Sequence, residues 1–363
     1  MKRFRIIYAI AALFIFSACD NNASTNNANV EEQKPKNIIL LIGDGMSFAH
    51  VHAGILSSDS PLNMEQFKNI GFIKTYSANS FVTDSGAAGT ALATGVKTTN
   101  GFIGMDPDSV PVKSILHIAN ENGLATGLVS SCALTHATPA SFIAHQPSRN
   151  MGEEIALDFL STDIDVIIGG GRDHFSKRVD GRNLLEELEA GGYVLALDMD
   201  EVNQVQSGKL AGFIADGHPP FYSEGRGDML PDATRTAINI LSQNDNGFFL
   251  MVEGSQIDWA AHDNDIVNIV SETLDFDRAV GRALDFARQN GETLVIVTSD
   301  HDTGGLALNG FNSETGEITA GFTTGGHTGL MQPVFAWGPG ASEFGGIYEN
   351  TGIFDRMLAA FGF

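Results

Sequence analysis

The chain has 363 residues, 43% of them hydrophobic, enough to bury the core of one large domain. A formal charge of −23 at pH 7 argues against binding to the nucleic-acid backbone, and charged residues, at 18%, fall below the ordinary share of about 25%. With only Cys19 and Cys132 present, no intrachain disulfide is expected in the globular part, where Cys132 reads as a small buried hydrophobe.

The first stretch, MKRFRIIYAIAALFIFSACD, stands apart from the fold. Lys2, Arg3 and Arg5 form a basic segment, and Ile6 to Phe16 an apolar run too short to span a bilayer. With Ser17 and Ala18 before Cys19, the pattern over 1–19 resembles a bacterial lipoprotein signal in which the cysteine is lipidated. Phe16 stands where leucine is usual, and an ordinary secretory cleavage nearby is the alternative. Residues 20–36 are almost free of apolar side chains and read as a flexible tether. Export is therefore expected, to the periplasm or to a membrane through Cys19, with the folded domain over 37–363.

Strand-length apolar runs follow at NIILLIGDG (37–45), 124–130, 165–168, GFFLMVEGS (247–255), TLVIVTSDHD (293–302) and 332–337. Their near-continuous Val, Ile and Leu content suits strands covered on both faces, as in a parallel sheet. Helical patterns lie between them at 46–57, 85–94, 112–122, 150–160, 182–190, 231–242 and 266–288, with Gly95 and Gly123 at expected helix ends. The alternation predicts a three-layer α/β/α fold around a mostly parallel sheet. There is no fixed-period repeat and no linker after residue 36, so one domain is expected. GGGRDHF (169–175) lacks a dinucleotide-binding glycine pattern and reads as a turn after a buried strand.

Ligands of open parallel sheets bind outside the carboxyl ends of the strands, where Asp44, Glu253, Asp300 and His301 fall. Any one of these acids could be a helix cap; together they read as a constructed site. Asp258 and His262, four residues apart, share a helix face and make two legs of a zinc site, though such a pair alone would read as a surface salt bridge. His327 sits in the glycine-rich TTGGHTG loop. In FVTDSGAAGTALATG, Ser85 opens a helix with no histidine nearby. Zinc bound to its oxygen would replace the missing base, and the helix N-terminus suits a phosphate. Bound cations would also explain how so acidic a chain accepts an anionic substrate.

Six motifs in chain order, IGDGM, TDSGAAGTALATGVKT, HATPASFIAH, VEGSQIDWAAH, TSDHDTGG and GGHTG, resemble the alkaline phosphatase family in its compact bacterial form, over about 37 to 340. The resemblance implies hydrolysis of small phosphate monoesters at alkaline pH by a homodimer, through a phosphoserine at Ser85, with two zinc ions and one magnesium. It assigns Asp258, His262 and His327 to the first zinc, and Asp44, Asp300 and His301 to the second, which also holds Ser85. Asp44, Thr138 and Glu253 fall to magnesium, whose oxygen ligands these are. Arg149, in HQPSRN, matches the clamp on two phosphate oxygens, and Asp84 the residue that orients it. His136 and Trp259 stand where the enterobacterial form has aspartate and lysine; the pair resembles marine and cold-active members. Both are expected near the substrate, with His136 beside the magnesium site, on the ion or one layer out.

Three other classes fit less well. A sulfatase needs a C/S-x-P-x-R context, and a serine esterase needs G-x-S-x-G; neither occurs at Ser85. Phosphodiesterase relatives often lack the third metal site, whose Glu253 and Thr138 are here. A non-catalytic metal-binding lipoprotein would lack a nucleophile or ligand, and none is missing.

Overall fold

A computed structural model describes residues 34–363; the expectations for 1–19 and 20–33, Cys19 included, lie outside the described residues. The described strands are β1 (Asn37–Gly43), β2 (Asn69–Lys74), β3 (Ala125–Ala133), β4 (Val166–Gly170), β5 (Tyr193–Ala196), β6 (Lys209–Phe213) and β7 (Phe248–Gly254). They continue with β8 (Thr293–Thr298), β9 (Asp302–Thr303), β10 (Ala307–Asn312), β11 (Glu317–Gly321), β12 (His327–Thr328), β13 (Gln332–Trp337) and β14 (Gly346–Glu349).

Ten strands form one sheet in the order β14-β2-β13-β8-β1-β7-β3-β4-β6-β5. Its pairings are parallel, except that β13 runs antiparallel to β8 and β2. The central strands β1, β7 and β8 are buried at every position, which is why their sequences are unbroken apolar runs. Successive side chains leave a strand on opposite faces. Ile38, Leu40 and Ile42 of β1 therefore join one core, with Leu92, Ile155 and Ile353 from helices. Ile39 and Leu41 join the other, with Val51, Ala233 and Phe276. Two cores on the two faces make the three layers.

Helices stand at Phe48–Ser57, Ser85–Thr94, Ile115–Glu121, Gly152–Ser161, Leu184–Ala190, Met229–Leu241 and Ile266–Asn290, as the periodicity predicts. Gly95 ends its helix at φ 73°, a conformation that favours glycine. The patterns miss β2, β5, β6, β9 to β12 and β14, the short helices Ala137–Ala140 and Met199–Gln204, and the last helix, Thr351–Phe361. Over 169–175 the expected turn is only part of the structure. Gly171 turns at φ 92°, and the chain then enters a short helix, Arg172–Ser176.

Candidate active site

The four adjacent strands β8, β1, β7 and β3 bring their carboxyl ends to one edge of the sheet. Asp44 follows β1, Glu253 lies in β7, and Asp300 and His301 follow β8. Thr138 sits in the short helix Ala137–Ala140 after β3; Asp258 and His262 sit in the helix Gln256–His262 after β7. His327 comes from far along the chain and is placed by the two-residue pairing of β12 with β9, opposite Thr303. Gly45 (φ 71°) lets the backbone pass close to this helix, since a Cβ there would meet Asp258 Cα at 2.9 Å.

Hydrogen bonds at the back of each histidine fix which nitrogen faces the site. His262 Nδ1–H donates to the Gly325 carbonyl (2.7 Å), and His327 Nδ1–H to that of Thr83 (2.9 Å). Their Nε2 atoms then meet at 3.2 Å, beside Asp258 Oδ2 (3.4 Å from His262) and Oδ1 (3.6 Å from His327). Two lone pairs cannot bond each other; a cation or a proton must lie between them. The Asp258 hydrogen bond raises the His262 pKa to about 9, so a proton competes with a metal for this pocket. Burial works to raise Asp258, but the His262 hydrogen bond and the three histidine charges outweigh it and hold the carboxyl below its usual range.

The second group is built the same way. Thr303 donates its hydroxyl proton to Asp258 Oδ1 (2.5 Å), so it accepts from His301 Nδ1–H (3.2 Å). His301 Nε2 therefore presents a lone pair to Ser85 Oγ (3.1 Å), Asp300 Oδ2 (3.2 Å) and Asp44 Oδ1 (3.5 Å). Asp44 Oδ1, Asp300 Oδ2 and Glu253 Oε1 are buried without a hydrogen-bond partner. Burial and the charges of Asp300, Asp258 and Glu253 push Asp44 well above the usual carboxyl range. Burial likewise raises Asp300 to about 6, helped by the Asp258 charge, and Glu253 to about 7. Carboxylates this crowded cannot all ionise unless cations neutralise them. The donor sets thus fit metal ions, with Asp258, His262 and His327 close enough to share one, and Asp44, Asp258 and His301 another.

Ser85 is 1% exposed and is the first residue of its helix; the cap is Asp84, whose carboxylate accepts from Ala87 N–H. That leaves the serine hydroxyl uncommitted to the helix. Asp84 also accepts from Gly101 N–H and from Arg149 Nη1, each at 3.0 Å. Burial alone would raise the Asp84 carboxyl, but the Ala87 and Gly101 bonds and the arginine lower it. Gly89, within the small-residue stretch after Ser85, lets this helix lie on the Thr138 segment, where a Cβ would meet Ser141 Oγ at 3.0 Å.

The remaining expected residues are also at this edge. Thr138 Oγ1 is 3.5 Å from Asp44 Oδ2, and His136 Nε2 accepts from Arg149 Nη2 at 3.4 Å. Trp259 packs its ring against His136, with centroids 5.8 Å apart. Three neighbours at this edge carry no signal of their role in the sequence. Thr303 bonds both Asp258 and His301, His218 packs on Trp259 at 4.7 Å, and Cys132 Sγ lies 3.4 Å from Glu253 Oε2. Thr303 lies inside the TSDHDTGG motif, but its role depends on a turn that the motif does not reveal. A cavity of about 770 Å³ between Leu157 and Lys209 holds none of these residues, and its Lys209 and Arg182 already pair with Asp163 and Glu187.

A buried serine among histidine and carboxylate clusters, at the end of a parallel sheet and backed by an arginine, is the layout of a metal-dependent phosphatase. A sequence profile described as alkaline phosphatase matches residues 35–318. Alkaline phosphatase 3 of Bacillus subtilis is 34% identical over 445 residues, covering 97% of this chain and 96% of that one. The structure of the alkaline phosphatase from the Antarctic bacterium TAB5 superposes with a TM-score of 0.86 at 43% identity, covering 91% of this chain and 98% of that one. A cold-active alkaline phosphatase from a psychrophilic Shewanella superposes at 0.85 and 30% identity, covering 90% and 100%. The chain belongs to the alkaline phosphatase family.

Proposed function

We propose that this chain hydrolyses phosphate monoesters at alkaline pH through a covalent phosphoserine at Ser85, with two zinc ions and one magnesium. The observation that carries the reading is the convergence on His301 Nε2 of Ser85 Oγ, Asp44 Oδ1 and Asp300 Oδ2, with Arg149 tied to Asp84, the neighbour of Ser85. Asp258, His262 and His327 would hold one zinc, and Asp44, Asp300 and His301 the other. Asp44, Thr138 and Glu253 offer oxygen to magnesium, which a mutant of the TAB5 enzyme carries in a site called M3. A zinc pair held there would supply Lewis acidity and positive charge to a displacement at phosphorus.

The side chains do the rest. Arg149, held by Asp84, presents a planar fork to two non-reacting phosphate oxygens. The positive end of the Ser85–Thr94 helix favours the same anion. Ser85 Oγ bonds to phosphorus as the ester bond breaks; its proton leaves to solvent and the departing alkoxide takes one up. Water then attacks phosphorus, the Ser85–phosphorus bond breaks, and the serine regains a proton. Trp259 and His136 line the wall beside Arg149. Replacement of Ser85 by alanine should abolish p-nitrophenyl phosphate hydrolysis without changing metal content; retained turnover would refute the assignment.

The working unit is proposed as a homodimer by family resemblance, exported and anchored through Cys19 by the pattern of residues 1–19. Light scattering and fatty-acid labelling of Cys19→Ala test these points.

A further inference from the structure

The GGGRDHF segment takes no part in the reaction, yet it holds a loop against the site. A Cβ at Gly170 would collide with the Gly217 carbonyl oxygen, so the end of β4 and the loop after β6 touch backbone to backbone. Gly171 N–H donates to that same carbonyl (2.6 Å), Arg172 N–H to Ala215 O (3.2 Å) and Asp173 N–H to Asp216 O (2.9 Å). Arg172 closes the seam with an ion pair to Asp216. On the loop's other side, Gln256 Nε2 donates to Pro219 O and to Ser131 O, each at 2.8 Å. The loop is thereby fixed between β4 and the helix that carries Asp258 and Trp259.

The exposed residue this loop brings to the site is His218. Its Nδ1 accepts from Ala133 N–H at 3.1 Å, which fixes the ring. The imidazole meets Trp259 edge to face (4.7 Å, 85°) and His136 likewise (5.8 Å, 86°), and His136 meets Trp259 at 81°. His136 Nε2 in turn accepts from Arg149 Nη2 at 3.4 Å. Contacts therefore run unbroken from His218 through Trp259 and His136 to the arginine. His174 of the same motif bonds Thr135, the residue before His136, at 2.6 Å, so the motif braces both sides of the ring trio.

We infer that His218 is a positioning residue for phosphate binding: by packing edge to face on Trp259 and His136, it keeps Arg149 in place for its anion. The inference rests on the phosphatase reading above. His218 touches no reacting atom and acts through the rings. Loss of one aromatic contact of this kind corresponds to a change in affinity of about two- to tenfold.

The test measures KM for p-nitrophenyl phosphate and the inhibition constant of inorganic phosphate, in the full-length protein and in its His218→Ala, His218→Phe and His218→Asn variants. His218→Ala should raise both constants by one common factor of about two to ten. Phenylalanine keeps the ring and should restore both. Asparagine keeps an acceptor for Ala133 N–H without the ring and should restore neither. In a Trp259→Ala chain, His218→Ala should add nothing further. Rescue by asparagine and not by phenylalanine would reduce His218 to a partner for one backbone N–H and overturn the inference. A fall in kcat with both constants in place, as partial misfolding gives, overturns it too, and in either case the Ser85 reading stands. If His218→Ala does not fold, the phenylalanine and asparagine variants decide between them. An unaltered chain that fails to hydrolyse the ester overturns both readings.

Discussion

His262 and His327 face each other through Nε2 atoms 3.2 Å apart, each with its Nδ1–H given to a backbone carbonyl. Polypeptide chemistry alone offers no attraction across that gap except a shared proton. The arrangement makes sense as half of a coordination sphere, with Asp258 as the third donor.

Chelation should therefore cost stability as well as activity. A ligand at a thousandfold its dissociation constant stabilises a fold by about 4 kcal/mol. Calorimetry with and without chelator should show a lowered unfolding midpoint that zinc restores. An unchanged midpoint would count against metal binding by these clusters.

Arg149 is held by Asp84 through Nη1 and by His136 through Nη2. Arg149→Lys keeps the charge and loses the paired geometry, worth roughly 1.5–3 kcal/mol for charged hydrogen bonds. A fall in kcat/KM of about ten- to a hundredfold follows. Asp84→Asn, which loosens rather than removes the clamp, should cost less. Steady-state kinetics of both variants check the order.

Trp259 stands beside His136 and Arg149 without adding charge. Trp259→Lys would place a cation near the bound phosphate and should tighten inhibition by inorganic phosphate. An inhibition constant equal to that of the unaltered chain would remove Trp259 from the account of product release.

Acid stability should depend on His117, outside the site. Burial, then the charge of His145 stacked at 5.2 Å, lowers its pKa to about 4; Glu121 opposes this and Lys113 adds to it. The folded value lies below the ordinary 6.5, so between these pH values the unfolded chain binds the extra proton. Stability is thus lost as pH falls from 6.5 toward 4, on the order of 2–3 kcal/mol from this residue. Chemical denaturation at both ends of that window should find His117→Gln less acid-sensitive than the unaltered chain.

How far the sequence speaks for the structure depends on the residue. β1, β7 and β8 are legible because burial on both faces demands unbroken apolar runs, and the acids just past them mark the ligand edge. β2 and β14 are partly exposed, so their residues carry no comparable pattern. The candidate ligands come from the motifs and the family resemblance, and the structure brings them together. Thr303 could not be read, because its role arises from a bond to Asp258, 45 residues away in sequence. Cys132 has the composition of a core residue and acquires its interest only from Glu253 on the neighbouring strand.

The central claim is the covalent step at Ser85. Rapid mixing with a phosphate monoester below the alkaline range, followed by acid quench and peptide mass spectrometry, tests it directly. Phosphate is expected on the peptide containing Ser85, absent in Ser85→Ala and discharged when the pH is raised. Full turnover by the unaltered enzyme with no phosphorylated Ser85 at any quench time would contradict it.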